Sequence, residues 1–587
     1  MSENPYVSYF QPGQIVFLVE GRTTPEENTQ FLEWAKTNLP QGVEISAKDA
    51  DSMQFPPLPP ILELKYAETA SKVPITRKPE KPSVEVKPSV FTLVPAQITG
   101  LKGEKEGDLE IQLFNLILGL DKKRQNAKGK PLRAVSPNWF ITGSSSSPGG
   151  TGGPGSRPDA YDGSPETHEH EFDLQYLPPA IRDQVQTGKK GTGIDVAILD
   201  TAPVQSLKEI DDYWVKVKKH TLLSRLRDPS NPRLLEIVKD SGADTPSRLN
   251  KPFPPGYRQS NDDGHDYEMA DHGLFAAGII NSFAPEAKIR LFQVLNPYGI
   301  GDLTSIARGL QRVLASYTNG NNLLVNMSLT INFPLEKAHI TTEDPVGKMI
   351  GEMILNQKRP GWVDWLCQAY NWLCMLIEKI FGISLPRCPL SWYERQTWAM
   401  EGICDSLKEL GSKVIAAAGN RRRNGAGRPQ AEYPAAFPDV LGVGALPRKS
   451  EPPADPNTRL PAASYSNFSD RPDGSGIATL GGEEGLGNGV LGIYLGKFPG
   501  RKDSIAPPTP SANGWAWWAG TSFATPIVTG ITAAVLSNGT LGDTPKKVIE
   551  SLLKNRSYWT EQNEEVLFVR QCLPSSTTSN TPPYHAA

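Results

Sequence analysis

Long apolar runs, paired cysteines and an excess of basic charge are all missing from this chain, and each absence removes a class of answer. No run reaches the ~18 uninterrupted apolar residues of a membrane-spanning helix. The nearest, around Trp372 to Ile383, is broken by Glu378 and Lys379. The opening Met1-Ser2-Glu3-Asn4-Pro5 has no basic segment leading into an apolar one, the form of a secretory leader. Five cysteines, Cys367, Cys374, Cys388, Cys404 and Cys572, match no zinc spacing, and an odd number argues against a disulfide framework. On a helical pattern Cys367 and Cys374 stand ~10 Å apart along the axis, beyond the ~7 Å Cα reach of a disulfide. The expectation is a cytoplasmic chain with reduced thiols and no transmembrane segment. Lys and Arg number 61 against 64 Asp and Glu, so nothing in the charge suggests a nucleic-acid partner. Clusters such as Arg421 to Arg423 read as solvated loops.

What is present divides the 587 residues unevenly, and the length exceeds the roughly 100–200 of a single domain. Gln14 to Val19 reads as a strand. Thr24-Pro25-Glu26-Glu27 then combines a Thr cap, Pro at the first helical position and a Glu that completes a capping box. The helix it opens carries Phe31, Leu32 and Ala35, and a short strand follows near Val43. Residues 54–90 are proline-rich and charged, hence an extended loop. Order resumes with a strand at Phe91 to Val94, a helix using Leu109, Leu113, Leu116, Ile117 and Leu120, and a strand at Trp139 to Thr142. Residues 1–142 therefore form a small α+β unit. Ser144 to Gly155 is a Ser/Gly/Pro tract, so 143–171 is taken as a flexible linker.

From Phe172 the pattern changes to short buried runs alternating with helices: Ile194 to Leu199, Ile289 to Leu295, Leu323 to Met327, Val414 to Ala418 and Val440 to Val443. Fully apolar strands alternating with helices indicate an α/β domain, a parallel sheet with helices on both faces, here over 172–557. Residues 558–587 read as a tail. The polar, proline-containing stretch Gln205 to Asn261 reads as surface loops. Residues 342–386 carry two amphipathic helices, with Trp362, Trp365, Leu366, Ala369 and Leu373 on one face. A helical hairpin packed on the body explains them; a docking face for a protein partner or a membrane surface is the alternative.

Three segments carry chemistry, each weak alone. Ile194 to Thr201 is a buried strand ending in Asp200, and catalytic groups of open parallel sheets gather at that edge. Alone, Asp200 reads as a cap or a salt-bridged carboxylate. Asp271-His272-Gly273 opens a helix of small residues, and His272 alone among seven histidines stands at such a place. A satisfied structural histidine is the bland reading. Gly520-Thr521-Ser522-Phe523-Ala524-Thr525-Pro526 starts another buried helix, whose N-terminus offers free N–H groups to a developing oxyanion. An ordinary Ser cap is the alternative there.

Together the three resemble the subtilisin-like serine peptidases, or subtilases. The order Asp, His, Ser is that family's. Further stretches match between them: Asn296-Pro297-Tyr298-Gly299-Ile300-Gly301, Val325-Asn326-Met327-Ser328-Leu329, Ala416-Ala417-Ala418-Gly419-Asn420, Tyr433-Pro434-Ala435-Ala436-Phe437-Pro438 and Ser464-Tyr465-Ser466-Asn467-Phe468. The resemblance covers roughly 172 to 557. It implies a serine endopeptidase with Asp200, His272 and Ser522 as triad and Asn420 as oxyanion donor. It also implies that Gly299, Ile300, Gly301, Ser328 and Leu329 lie along the substrate backbone, with Glu432 at the base of the pocket for the residue before the scissile bond. That chemistry requires no cofactor; the family often binds structural calcium, for which no ligand run stands out. Residues 1–142 resemble a subtilase prodomain whose end lies in the cleft as an intramolecular inhibitor, the Ser/Gly tract being a processing region. A permanent regulatory module is the rival. The chain departs from the family at Ala202-Pro203 after the triad Asp and at Leu274-Phe275 after His272-Gly273, which puts local loop shape in question but removes no reacting atom. Two other readings are weaker: a non-catalytic interaction protein on this fold, and a metallohydrolase using His168-Glu169-His170-Glu171, which lacks the H-E-x-x-H helix.

Overall fold

The computed structural model describes residues 10–20, 23–47, 53–54, 91–102, 108–127, 132–143, 158–161, 171–227, 234–239, 269–297, 299–317, 320–331, 349, 400–401, 404, 406–408, 410–420, 428–437, 439–448, 459–469, 476–483, 487–498, 509–554, 558–560 and 564–572. The helical insertion expected over 342–386, apart from Met349, and His168 to His170 of the His168 to Glu171 run lie outside them.

The N-terminal unit contains β1 (Phe10–Glu20), α1 (Pro25–Thr37), β2 (Glu44–Ala47), β3 (Met53–Gln54), β4 (Phe91–Thr99), α2 (Asp108–Lys123) and β5 (Leu132–Gly143). The capping box forms as the sequence dictates: Thr24 Oγ1 accepts from the Glu27 N–H at 3.3 Å, and Glu27 Oε2 accepts from the Thr24 N–H at 2.8 Å. The sheet runs β2–β4–β1–β5, antiparallel. Its core includes Phe17 and Phe31 and the cluster of Phe10, Phe114 and Trp139, where Phe10 meets Trp139 edge-on at 5.7 Å. Burying each such side chain stabilises by ~1.5–3 kcal/mol. β1 starts before the expected Gln14, with an irregularity in the β1–β5 register between Phe10 and Ile15.

The larger body is built on a nine-stranded sheet. Its order is Tyr558–Trp559, Glu565–Val566, Ile477–Leu480, Val440–Leu446, Lys413–Ala417, Leu323–Met327, Asp195–Asp200, Lys288–Gln293, Leu235–Val238. All neighbours are parallel except the first pair. Side chains alternate between faces with period two. Val196 and Ile198 join the core under the helices His272–Phe283 and Thr521–Asn538, while Ala197 and Leu199 join the core under Leu303–Ser316. Both faces are thus covered, which is why these strands read as unbroken apolar runs. The first two helices approach closely: a Cβ on Gly530 would stand 3.0 Å from Ile280 O.

Three sequence expectations are corrected. Gln205 to Asn261 is not all loop. It holds the short helices Leu207–Glu209 and Thr221–Leu226, a π-helix Ile210–Val215, and Leu235–Val238, an edge strand of the main sheet. Ile210, Trp214, Leu222, Leu223 and Leu226 are buried, but the π-turn disturbs the 3.6-residue period that would have revealed them. Residues 558 to 571, expected as tail, supply Tyr558–Trp559 and Glu565–Val566 to the sheet, while Arg570–Gln571 pairs with Phe172–Asp173. Their strands are two residues long, too short for a periodic signal. Part of the expected linker is also paired, Asp159–Ala160 lying against Ala516 and Trp517.

The helical stretch after Pro203 contains a pH-sensitive group. His220 is buried, its Nε2 3.0 Å from Gly514 O, its Nδ1 accepting from the Leu223 N–H at 3.2 Å, and its ring stacked on Trp515 at 4.2 Å. The neutral ring satisfies both partners, whereas a proton on Nδ1 would face the Leu223 N–H. Burial lowers its pKa to about 4, against the opposing pull of its backbone hydrogen bonds. The unfolded histidine, at ~6.5, binds the proton first, so stability is present above that pH and is lost as pH falls toward 4. Wild type should exceed His220→Asn in stability at pH 7, and the difference should shrink by ~3 kcal/mol between pH 7 and 4. Denaturant melts of both proteins across that range check it; a pH-independent difference contradicts it.

Candidate active site

Asp200 closes its strand at the C-terminal edge of the parallel sheet, and its carbonyl accepts from the N–H groups of Val294 and Leu295 at 2.9 and 3.2 Å. Its carboxylate is buried. Oδ1 accepts from the Thr201 N–H at 2.7 Å, and both oxygens lie within 2.8 and 2.9 Å of His272 Nδ1. A carboxylate so placed fixes the proton on Nδ1 and leaves the Nε2 lone pair as the basic site. Nε2 is buried and makes no hydrogen bond among the described residues. Thr201 holds strand and helix together: its hydroxyl lies 2.9 Å from both Met269 O and Ala270 O and accepts from the Gly273 N–H at 3.1 Å. The approach is so close that a Cβ on residue 273 would stand 2.4 Å from Thr201 O, which explains glycine after the histidine.

The imidazole packs against both Trp518 and Phe523, with ring centroids 5.3 and 5.2 Å away, and Phe523 follows Ser522 in the first turn of its helix. The Ser522 carbonyl accepts from Ser328 Oγ at 2.8 Å, and Ser522 Oγ lies 3.5 Å from Ser328 O. Asn420 Oδ1 accepts from the Thr521 N–H at 3.1 Å and from Thr521 Oγ1 at 2.8 Å. Because the backbone N–H can only donate, the atom facing Thr521 must be the amide oxygen, which leaves Nδ2 as the donating end.

The strands Ile300–Asp302 and Leu329–Ile331 stand on either side of β5. Ile300, Gly301 and Asp302 oppose Thr142, Ile141 and Phe140; Leu329, Thr330 and Ile331 oppose Gly143, Thr142 and Ile141. The end of the N-terminal unit is thus the middle strand of three, between two segments of the larger body. Gly299 precedes with φ of +76° in a turn closed by its N–H on Asn296 O at 2.9 Å. Glu432 is half-buried and turned toward the oxyanion segment: a Cβ on Gly419 would meet Glu432 Oε2 at 2.5 Å and Asn467 Nδ2 at 2.7 Å. Every residue the sequence singled out for this site is therefore gathered at one sheet edge.

The family model of the subtilases matches residues 191–572. This chain is a subtilase. As such it is a subtilisin-like serine endopeptidase with peptide substrates. Solved structures similar to this subtilase include the prenylagaramide maturation protease PagA, at 17% identity over 67% of this chain and 94% of that one, TM-score 0.34. A mutant of the protease domain of PatA follows at 18% identity over 65% and 90%, TM-score 0.33. Fervidolysin from Fervidobacterium pennivorans, a keratinolytic enzyme related to subtilisin, shows 14% identity over 97% of this chain, TM-score 0.44; the subtilase spans 63% of its length. No curated protein matches.

Sequence reasoning did not single out Thr201 and Thr521: the Thr201 hydroxyl ties the strand of Asp200 to the helix of His272, and the Thr521 hydroxyl donates to Asn420 Oδ1; their adjacency to Asp200 and Ser522 was the available signal. For the calcium that the family suggests, no group of three or more His, Cys, Asp or Glu converges among the described residues, so no side-chain site is assigned. No helix among the described residues is long and apolar enough to cross a membrane.

Proposed function

We propose that this subtilase hydrolyses peptide bonds with Asp200, His272 and Ser522 as triad and Asn420 as oxyanion donor, and that its N-terminal unit inhibits it by occupying the cleft. The observation that carries the first part is the buried Asp200–His272 pair, whose imidazole packs against Phe523, the residue after Ser522. Ser522 Oγ attacks the substrate carbonyl as Nε2 takes its proton. Asp200 holds the tautomer and stabilises the imidazolium, which then protonates the leaving amine. Asn420 Nδ2 and the Ser522 N–H face the oxygen on which charge develops. Asp200→Asn should lower kcat by ~10⁴-fold, a size borrowed from another serine-protease triad. Asn420→Leu should cost ~10²–10³-fold, the range known for subtilisin's own oxyanion asparagine. Steady-state kinetics on a fluorogenic peptide check both, and unchanged kcat in either variant removes that residue from the mechanism.

The pairing of Phe140 to Gly143 on both edges supports the inhibitory part, since a peptide substrate would need the same two strands. Glu432 supports a preference for Arg or Lys before the scissile bond. A carboxylate turned inward in a narrow pocket favours a cation and disfavours acidic or apolar side chains. Peptides differing only at that position should rank Arg first, and Glu432→Gly should erase the ranking. Selection of Leu or Phe by the unaltered enzyme would remove Glu432 as the determinant.

A further inference from the structure

A buried ion pair behind the site has no part in the mechanism above. Arg428 follows Asn420 in the sequence, and Glu564 immediately precedes the strand Glu565–Val566; their side chains are 3% and 0% exposed. Each member is saturated with further bonds. Arg428 Nη1 donates to Glu564 Oε2, its Nε to Ser466 O at 2.8 Å, and its Nη2 to Ser466 Oγ at 3.1 Å and Asn467 O at 2.7 Å. The guanidinium lies 4.8 Å over the Phe468 ring. Glu564 Oε1 accepts from the Ser469 N–H at 2.6 Å and Ser469 Oγ at 2.8 Å, and Oε2 accepts from Thr560 Oγ1 at 3.1 Å. The segment Ser466 to Ser469 is therefore clamped from both ends of the pair.

That segment in turn holds the oxyanion peptide. The Asn467 N–H donates to Gly419 O at 3.0 Å, the carbonyl of the peptide bond that joins Gly419 to Asn420. Asn467 Nδ2 donates to Gln430 O at 3.2 Å, and the Phe468 N–H to Pro429 O at 2.8 Å, so Gly419, Pro429 and Gln430 all rest on it. Fork geometry and full hydrogen bonding give such a buried pair orientational precision. We infer that Arg428 and Glu564 are positioning residues: through Asn467 they set the Gly419–Asn420 peptide and hence the direction of the oxyanion donor. Residues near the end of the domain thereby become part of its catalytic support.

The inference rests on Asn420 as donor, and the test separates the two. On the full chain in its peptide-hydrolysing form, Glu564→Gln should lower kcat by about 10–100-fold, the effect of a displaced catalytic group, with KM within about twofold. In an Asn420→Leu background the same change should cost at most about twofold, because the group being positioned is gone. Arg428→Lys keeps the charge without the fork and should give an intermediate loss with the same dependence on background. It carries the comparison if Glu564→Gln shows no cooperative thermal transition. An unchanged kcat for Asn420→Leu alone overturns the donor reading and this inference with it. A reduced kcat for Asn420→Leu, with equal losses from Glu564→Gln in both backgrounds, overturns the positioning role alone. So does a loss confined to KM.

Discussion

Ser522→Ala should leave a folded protein that no longer hydrolyses peptides. The expected fall in kcat is ~10⁶-fold, the size known for removing the nucleophile of subtilisin. Stability should change little, for two reasons visible at the site. The hydroxyl's contact with Ser328 O is 3.5 Å long, at the limit of a hydrogen bond, while the Ser328 Oγ bond to the Ser522 carbonyl survives the change. Alanine is also a good helix former in the first turn of Thr521–Asn538. Peptide hydrolysis and a thermal melt on the same preparation check both halves. Full activity in this variant sinks the triad assignment.

The second large effect concerns the N-terminal unit. A chain starting near Ser156 should hydrolyse peptides freely, and a separate fragment of residues 1–142 should inhibit it competitively, raising the apparent KM without lowering kcat. The reason is geometric. β5 uses its length to finish the unit's own sheet against β1, and its last residues to pair with Ile300–Asp302 and Leu329–Ile331. Trp139 belongs to the unit's own aromatic core with Phe10 and Phe114, so the fragment carries the packing that presents Phe140 to Thr142. Ile141→Pro deletes an N–H within the doubly paired stretch and should weaken inhibition by ~10-fold or more. Titration of the fragment against the shortened enzyme measures both. A fragment that fails to associate, or that inhibits without competing with substrate, makes the unit a separate regulatory module.

Most of this was legible before the structure because the signals were strong and local. The buried strands ending at Asp200 and Met327 read as such because both faces of the sheet are covered. His272, Ser522 and Asn420 stand in stretches whose residue types and order are specific. The illegible parts have physical causes. The edge strand Leu235–Val238 follows a π-turn that scrambles helical periodicity. The strands after residue 557 are two residues long and take their register from their partners rather than from their own sequence: Glu565–Val566 from Ile477–Leu480, Tyr558–Trp559 from Glu565–Val566, and Arg570–Gln571 from Phe172–Asp173. The Arg428–Glu564 pair spans 136 positions, and only the folded chain brings it beneath the oxyanion segment.

Reaction with a fluorophosphonate tests the central claim most directly, because the reagent modifies a serine only where a base and an oxyanion site activate it. The account predicts that peptide mapping finds one modified residue, Ser522, that peptidase activity falls in proportion to its modification, and that His272→Ala prevents the reaction. Modification of a different residue in step with the loss of activity, or full activity with Ser522 modified, would contradict it.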